Sequence, residues 1–132
     1  MTTVVDASTV VAALVDDGPA GRWAEEELLA GPLAAPHLLP VEVANILRRA
    51  VHADQIPADL AAQAHRDLLD LDVTLFPYEP FGERIWALRD NVTAYDGWYV
   101  AIAEHLDAPL ATLDQRLARA PGPRCRFSTP ER

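Results

Sequence analysis

The sequence predicts an α/β protein in which helices flank a central parallel sheet. Short apolar runs alternate along the chain with segments whose apolar residues recur every three to four positions. This alternation is typical of βαβ units, in which successive strands lie parallel and the connecting helices cover the sheet. Because 132 residues is about the length of one domain, we expect residues 1–132 to form a single domain.

Residue types and turn signals indicate the N-terminal elements. The β-branched run Thr3–Val5 predicts a buried strand, and Ser8 is placed to cap the helix that follows it. A turn at Asp16–Pro19 separates this helix from a second one, which ends before Gly31. We expect a short second strand over Leu33–Ala35.

Periodicity predicts the rest of the fold. The clearest helix covers Val43–Val51, where apolar residues at i, i+3, i+4, i+7 and i+8 form one continuous stripe. The other predicted elements, in chain order, are a helix over Asp59–Leu71, a strand over Val73–Phe76, a helix over Phe81–Arg89, a helix over Tyr95–Leu106 and strands over Pro109–Leu113 and Arg126–Phe127.

The composition argues against several classes of protein. Twenty acidic and eleven basic residues give a net charge of −9, which disfavours a protein that coats DNA or membranes. All eleven basic residues are arginine, so Schiff-base enzymes and P-loop NTPases, which need a lysine, are excluded. Neither serine lies in a G-x-S-x-G elbow. A single cysteine and the lack of a targeting or membrane-spanning segment lead us to expect a cytoplasmic protein.

Four carboxylates stand at positions where an active site would form. Asp6 and Asp114 each follow a predicted strand, and the carboxyl ends of parallel strands meet at one edge of the sheet. Glu42 and Asp96 each lie at the start of a predicted helix, on or beside its inward-facing side. Taken one at a time, each acid is better explained as a helix cap or as a first-turn residue that the helix dipole favours.

Convergence of the four acids would require a different explanation. Carboxylates about 5–6 Å apart repel by on the order of 3 kcal/mol at an effective dielectric constant near 20, so either their pKa values rise or a cation binds. Oxygen ligands without His or Cys select Mg²⁺ or Mn²⁺, which support phosphodiester hydrolysis. The acids are 36, 54 and 18 residues apart, which excludes a local calcium-binding loop.

Five stretches carry a resemblance to a known family. They are Val5–Ser8, Pro40–Leu47, Thr93–Asp96, Tyr99–Glu104 and Ala111–Asp114. In this order and spacing, the chain resembles PIN-domain ribonucleases of the VapC toxin type, from bacterial VapBC toxin–antitoxin pairs. The resemblance spans nearly the whole chain and implies the PIN-like three-layer fold, with a central parallel sheet between layers of helices.

The resemblance also implies a site, a substrate and partners. Asp6, Glu42, Asp96 and Asp114 correspond to the acidic quartet that binds Mg²⁺ or Mn²⁺, with Asp6 and Asp96 as principal ligands. The implied reaction is hydrolysis of phosphodiester bonds in structured RNA, such as tRNA or rRNA loops. The implied partners are a cognate VapB-type antitoxin and a second copy of the chain. Three polar residues adjoin the quartet and are candidates for holding its ligands or water: Ser8, Asn45 and Thr112.

The charge distribution adds candidate RNA contacts. Residues 1–114 hold six arginines and nineteen acids, a net charge of −13, whereas residues 115–132 hold five arginines and one acid, a net charge of +4. Arg116 and Arg119 therefore follow the last acid of the quartet, where an RNA backbone would need positive charge. A solvated basic tail explains them equally well. Arg48 and Arg49 are open to the same two interpretations, a phosphate contact or an exposed helix face.

Three other functions are compatible with parts of this pattern. A carboxylate-site phosphatase is disfavoured, because Asp6 and Ser8 do not form the D-x-D nucleophile motif and no lysine can bind the phosphate. A non-catalytic module with a PIN fold would be expected to lack at least one of the four acids. An RNA-processing nuclease without an antitoxin would share all of these residues, and the sequence does not separate it from a toxin.

Overall fold

In the computed structural model, residues 1–130 are described, and they form five strands and seven α-helices. Glu131 and Arg132, which contribute to the charge of the C-terminal segment, lie outside the described residues. The strands are β1 (Thr3–Val5), β2 (Leu33–Pro36), β3 (Val73–Phe76), β4 (Leu110–Ala111) and β5 (Phe127–Ser128). The helices are α1 (Ala7–Val15), α2 (Pro19–Leu29), α3 (Leu39–His52), α4 (Ala58–Asp70), α5 (Gly82–Ala87), α6 (Ala94–Leu106) and α7 (Gln115–Ala118), with a 3₁₀ turn at Glu79–Phe81 before α5.

The predicted α/β architecture with a parallel central sheet is confirmed. The strand order is β3-β2-β1-β4-β5, and all four neighbouring pairs are parallel. The central strand β1 is fully buried, because helices cover it on both faces and β2 and β4 flank it. The sheet therefore places the residues that follow β1 and β4 next to each other at its carboxyl edge.

Helix α6 packs against the sheet and forms much of the core. Its run from Tyr99 to Ala103 is fully buried, so this helix is apolar nearly all round. At its N-terminus the Thr93 side chain accepts a hydrogen bond from the Asp96 N–H at 3.1 Å, which fixes where the helix starts. Gly97 lies beside Ile85, where a Cβ would stand 3.4 Å from a side-chain methyl, so α5 approaches α6 closely. Among residues 1–130, no helix is both long and apolar enough to cross a membrane.

Three predicted boundaries differ from the structure. Ser8 does not cap α1, because it lies inside the helix and the carboxylate of Asp6 occupies the capping position. The strand expected over Pro109–Leu113 is shorter, at Leu110–Ala111, although the Pro109 carbonyl accepts from the Val4 N–H and the Thr112 N–H donates to the Ser128 carbonyl. The helix expected over Phe81–Arg89 is divided into the 3₁₀ turn and the short helix α5.

Candidate active site

Asp6 is the most firmly held of the four acids. It follows β1, caps α1 and is 7% exposed. Its Oδ1 accepts hydrogen bonds from the Ser8 hydroxyl at 2.7 Å and from the Thr9 N–H at 3.0 Å. Its Oδ2 accepts one from the hydroxyl of Thr112, which follows β4. The carboxylate is therefore oriented from two strands before any ligand binds.

Asp114 is linked to Asp6 through a single hydroxyl group. The Thr112 hydroxyl donates to Asp6 and accepts from the Asp114 N–H at 2.9 Å. Asp114 also caps α7, because its Oδ1 accepts from the N–H groups of Arg116 at 2.9 Å and Leu117 at 3.2 Å. Within the described part of the chain its Oδ2 accepts no hydrogen bond, and the residue is exposed. One oxygen of Asp114 thus stabilises the helix, and the other remains available.

Asp96 lies in the first turn of α6 and is half-buried. Its pKa is raised above the usual 3.8, first by burial and then by the negative charges of Asp114 and Asp6. Asp96 therefore lies within electrostatic range of both Asp114 and Asp6. Their repulsion opposes folding with all three charged.

Glu42 lies in the first turn of α3 and completes the group. Burial raises its pKa above the usual 4.5, the hydroxyl of Tyr99 counteracts part of that rise, and the charges of Asp96 and Asp6 add to it. The Tyr99 hydroxyl donates to Oε1 of Glu42 at 2.6 Å across 57 residues of sequence. All four acids thus belong to one electrostatic cluster, although each also keeps its local role at a helix start.

Tyr99 is the site residue that the sequence analysis did not single out. It is 1% exposed, and burial and the neighbouring carboxylates raise the pKa of its phenol, so the hydroxyl stays protonated and donates. Its position three residues after Asp96 was recognised only as part of the apolar inward face of α6. The sequence does contain a signal for this role, because a buried tyrosine needs a hydrogen-bond partner for its hydroxyl and acids are expected nearby.

The donor set fits a hard divalent cation. The cluster offers carboxylate and hydroxyl oxygens and no sulfur or imidazole, which is the ligand chemistry of Mg²⁺ and Mn²⁺. Asp96, Glu42 and the free oxygen of Asp114 provide negative charge that residues 1–130 do not neutralise with an ion pair. As they stand, no three His, Cys, Asp or Glu side chains in this range are gathered at metal-ligating distance. The side chains of Glu42, Asp96 and Asp114 would have to move towards Asp6 to close around an ion.

Two clefts meet at the acidic cluster. The first, which we call the basic cleft, has a volume of about 520 Å³ and is lined by Thr93, Asp96, Asp114, Arg116 and Arg119, among others. The second, which we call the aromatic cleft, has a volume of about 530 Å³ and is lined by Val41, Glu42, Asn45, Ile46, Arg49 and Tyr95. They share no lining residue, and they adjoin where Tyr95 and Asp96 follow each other at the start of α6.

The other candidate residues differ in whether their side chains contact the acids. Ser8 and Thr112 contact Asp6 directly. Asn45 is exposed on the wall of the aromatic cleft, and within residues 1–130 its amide makes no hydrogen bond to any of the acids. Arg116 and Arg119 both line the basic cleft, and the Nε of Arg119 also donates to the Gln115 carbonyl at 3.2 Å.

Comparison with known proteins identifies the family and agrees with the fold. The family model described as PIN domain matches residues 3–123. Ribonuclease VapC1 of Mycobacterium tuberculosis is 47% identical over 128 residues, with 92% of each chain covered. The chain belongs to the VapC-type PIN-domain ribonuclease family. The resemblance inferred from the five motif stretches is therefore confirmed.

Two solved structures share the fold of this VapC-type chain. VapC20 of Mycobacterium tuberculosis, described as a sarcin-ricin loop cleaving toxin, has a TM-score of 0.66 and 14% identity, covering 88% of this chain and 92% of that one. VapBC-5 of Mycobacterium tuberculosis, described as a member of the VapBC family of toxin-antitoxin systems, has a TM-score of 0.58 and 23% identity, covering 99% and 98%. At these identities the likeness shows the fold alone.

Proposed function

We propose that this protein is the ribonuclease toxin of a toxin–antitoxin pair and hydrolyses phosphodiester bonds in structured RNA, such as tRNA or rRNA loops. The observation that carries the proposal is the convergence of Asp6, Glu42, Asp96 and Asp114 between two clefts that each contain an arginine. The 47% identity to a protein named as a ribonuclease supports it.

The acidic cluster would hold Mg²⁺ or Mn²⁺ through Asp6, Asp96 and Asp114, with Glu42 as a further ligand or a residue that orients water. When bound, such an ion lowers the pKa of water and neutralises charge on the scissile phosphate. The protein's own contribution is orientation. Ser8, Thr9 and Thr112 fix the carboxylate of Asp6, and Tyr99 leaves one oxygen of Glu42 free to face the cluster.

Arginines of the basic cleft would bring the RNA to this cluster. Arg116 and Arg119 lie on the same cleft wall as Asp114, so their guanidinium groups offset the repulsion between the RNA backbone and the carboxylates. Positive charge is concentrated in residues 115–132, whereas residues 1–114 carry nineteen of the twenty acids. The protein would therefore bind RNA at the cleft without coating it.

Cleavage of total bacterial RNA by the purified protein tests the activity. We expect discrete fragments with Mg²⁺, none with EDTA, and recovery when Mg²⁺ or Mn²⁺ is added back. Asp96→Asn should produce no fragments, whereas the matched change Asp107→Asn, at the exposed C-terminal end of the same helix, should cleave like the parent. RNA that stays intact with either ion, or that Asp96→Asn still cuts, would refute the proposal.

A basic antitoxin segment is the partner that the surface favours. The net charge of −9 attracts a basic chain, and Leu29 on α2 is 85% exposed. We propose a VapB-type antitoxin from an adjacent gene as this partner, a homodimer as the free toxin, and the cytoplasm as the site of action. Co-purification with the adjacent gene product and loss of cleavage in the complex would test the pairing. Uninhibited cleavage would instead indicate an RNA-processing nuclease.

A further inference from the structure

The aromatic cleft has no role in the account given so far, although it lies directly against the acidic cluster. Glu42 lines it, and Tyr95, the residue before Asp96, forms part of its wall. Its volume of about 530 Å³ lies within the roughly 300–1,000 Å³ range typical of small-ligand sites. Any phosphodiester held at the acids therefore has this cleft on one side and the basic cleft on the other.

Arg49 gives the aromatic cleft a positive charge that is not paired with an acid of residues 1–130. Within residues 1–130, its guanidinium group enters no hydrogen bond or ion pair, whereas Arg84 and Arg126 are engaged with acids. It is exposed on α3, two turns after Glu42, so it points to the same side of the helix as that acid. An exposed arginine with no acidic partner, beside the acidic cluster, is available to bind an anion such as a phosphate.

Tyr95 provides an aromatic face in the same cleft. It is 62% exposed, its neighbours there include the apolar side chains of Val41 and Ile46, and Asn45 adds an amide that both donates and accepts hydrogen bonds. An exposed ring, an apolar floor and one amide are the groups that bind an unstacked nucleobase in single-stranded RNA. The ring, the guanidinium and the amide share one cleft beside Glu42 and offer a stacking surface, a phosphate contact and a base contact, which favours a nucleotide over a peptide.

We propose that the aromatic cleft is a nucleotide-binding subsite for the RNA residue next to the scissile phosphate. Tyr95 stacks on its base, and Arg49 binds the phosphate beyond it. The basic cleft then takes the nucleotide on the other side through Arg116. The strand crosses from one cleft to the other over Asp96 and Glu42, and this subsite rests on the nuclease function proposed above.

Binding of a single-stranded RNA tests the phosphate contact. The probe is a fluorescein-labelled random-sequence 12-nucleotide RNA, and every protein carries Asp96→Asn so that the probe stays intact. Adding Arg49→Ala should reduce the slope of log affinity against log salt concentration by about 0.7, the value for one phosphate contact of a single strand. Arg48→Ala is the matched control. Arg48 precedes Arg49 on α3, carries the same charge and is exposed, but it does not line the cleft.

A second probe without bases separates the two contacts. With the ordinary RNA, Tyr95→Ala should weaken binding roughly tenfold, as expected for loss of one stacked base, and Tyr95→Phe should change it less than about twofold. With a 12-nucleotide abasic strand, Tyr95→Ala should have no effect, whereas Arg49→Ala should lower the salt slope as before.

Four results would overturn the subsite, the last of them together with the nuclease function. Equal slopes for Arg49→Ala and Arg48→Ala, or equal losses for Tyr95→Ala on both probes, would do so while the parent still cleaves RNA. A change in sedimentation coefficient for Tyr95→Ala, with unchanged RNA binding, would assign the cleft to contact between two copies of the chain. If the parent neither binds nor cleaves RNA, the nuclease function itself fails, and the subsite fails with it.

Discussion

The two ends of helix α6 place a carboxylate in opposite surroundings. Near the N-terminus, Asp96 stands among other acids, and burial and their charges raise its pKa. Near the C-terminus, Glu104 is bound by Arg84, with Nε–Oε1 at 2.7 Å and Nη2–Oε2 at 3.0 Å, and by the Arg124 N–H at 2.7 Å. Burial would raise the pKa of Glu104, but these hydrogen bonds outweigh burial and the pKa lies below its usual 4.5.

The paired carboxylate at the C-terminal end of α6 also fixes a neighbouring loop. The Arg84 guanidinium also donates to the Gly122 carbonyl at 3.0 Å, so the pair at the C-terminal end holds the loop that leads from α7 to β5. At the N-terminal end, Asp96 and the acids near it form no ion pair with a basic side chain of residues 1–130. The fold therefore pairs one carboxylate of α6 fully and leaves the other among like charges, and unpaired carboxylates with raised pKa values are typical of functional sites.

The largest effect is expected at the unpaired end. Asp96→Asn should reduce RNA cleavage at least a hundredfold, on the scale seen when one group that stabilises transition-state charge is removed. The same change should leave the melting temperature unchanged or raise it slightly, because it removes a charge that Asp6 and Asp114 repel. Cleavage assays and thermal melts without divalent ions check both parts.

The contrary result for Asp96 is a collapse of the melting temperature. It would mean that the carboxylate stabilises the start of α6 and that its contribution to the site is secondary. Thr93 makes this outcome unexpected, because its side chain already accepts the hydrogen bond from the Asp96 N–H. Thr93→Ala is the matched test of the cap, and it should cost about 1 kcal/mol of unfolding free energy.

The paired end should respond in the reverse manner. Glu104→Gln should lower the unfolding free energy by about 1–3 kcal/mol, the range for losing hydrogen bonds to a charged group, with little change in kcat. Arg84→Gln should cost a similar amount, and the double variant should cost less than the sum of the two single changes, because both break the Arg84–Glu104 pair while each also affects a separate hydrogen bond, with the Arg124 N–H or the Gly122 carbonyl. Additive losses in urea titrations would show that the two residues act separately.

The dependence of stability on pH distinguishes the same two ends. The lowered pKa of Glu104 means that its stabilising effect is present above pH 4.5 and is lost as the pH falls through the folded-state pKa. The raised pKa values of Asp96 and Glu42 mean the opposite: their destabilising effect is present at neutral pH and disappears as they become protonated. On acidification the free energy of unfolding should therefore rise first and fall afterwards, and Glu104→Gln should weaken only the fall.

Regular patterns in the sequence predicted most of the fold. A β-branched run and helical periodicity identified β1 and α3, and the alternation of the two kinds of segment predicted the parallel sheet. The parallel order in turn predicts that Asp6 and Asp114 lie at the same carboxyl edge of the sheet. Boundaries were less predictable, because a cap depends on which oxygen reaches the free N–H groups. Asp6 and Ser8 are two residues apart and both can cap, and the structure uses Asp6.

Contacts between distant residues account for what the sequence did not predict. The hydrogen bond from Tyr99 to Glu42 joins residues 57 positions apart, and the pair of Arg84 with Glu104 joins residues 20 apart. Neither has a local signature, because the partners meet only after α6 has packed. The roles of Ser8, Asn45 and Thr112 in holding ligands or water remain predictions.

Tyr99→Phe tests whether the site depends on one of these distant contacts. It removes the hydroxyl that orients Glu42 and keeps the ring in the core, so we expect about a tenfold loss in kcat and in the affinity for Mn²⁺. Titration of Mn²⁺ by electron paramagnetic resonance measures the affinity without relying on activity. Glu42→Gln should cause an equal or larger loss, and Tyr99→Phe in that background should add nothing.

The smallest effect is expected from a single arginine of the basic cleft. Arg116→Ala should reduce the slope of log RNA affinity against log salt concentration by about 0.7, with kcat unchanged at saturating RNA, because the residue contacts phosphate and not the reacting atoms. Arg124→Ala is the matched control. Its side chain is exposed on the same C-terminal segment and lies outside the basic cleft. If both variants lower the slope equally, the C-terminal segment acts as a diffuse positive surface. The functional end of α6 would then consist of the four acids alone, without a specific arginine contact.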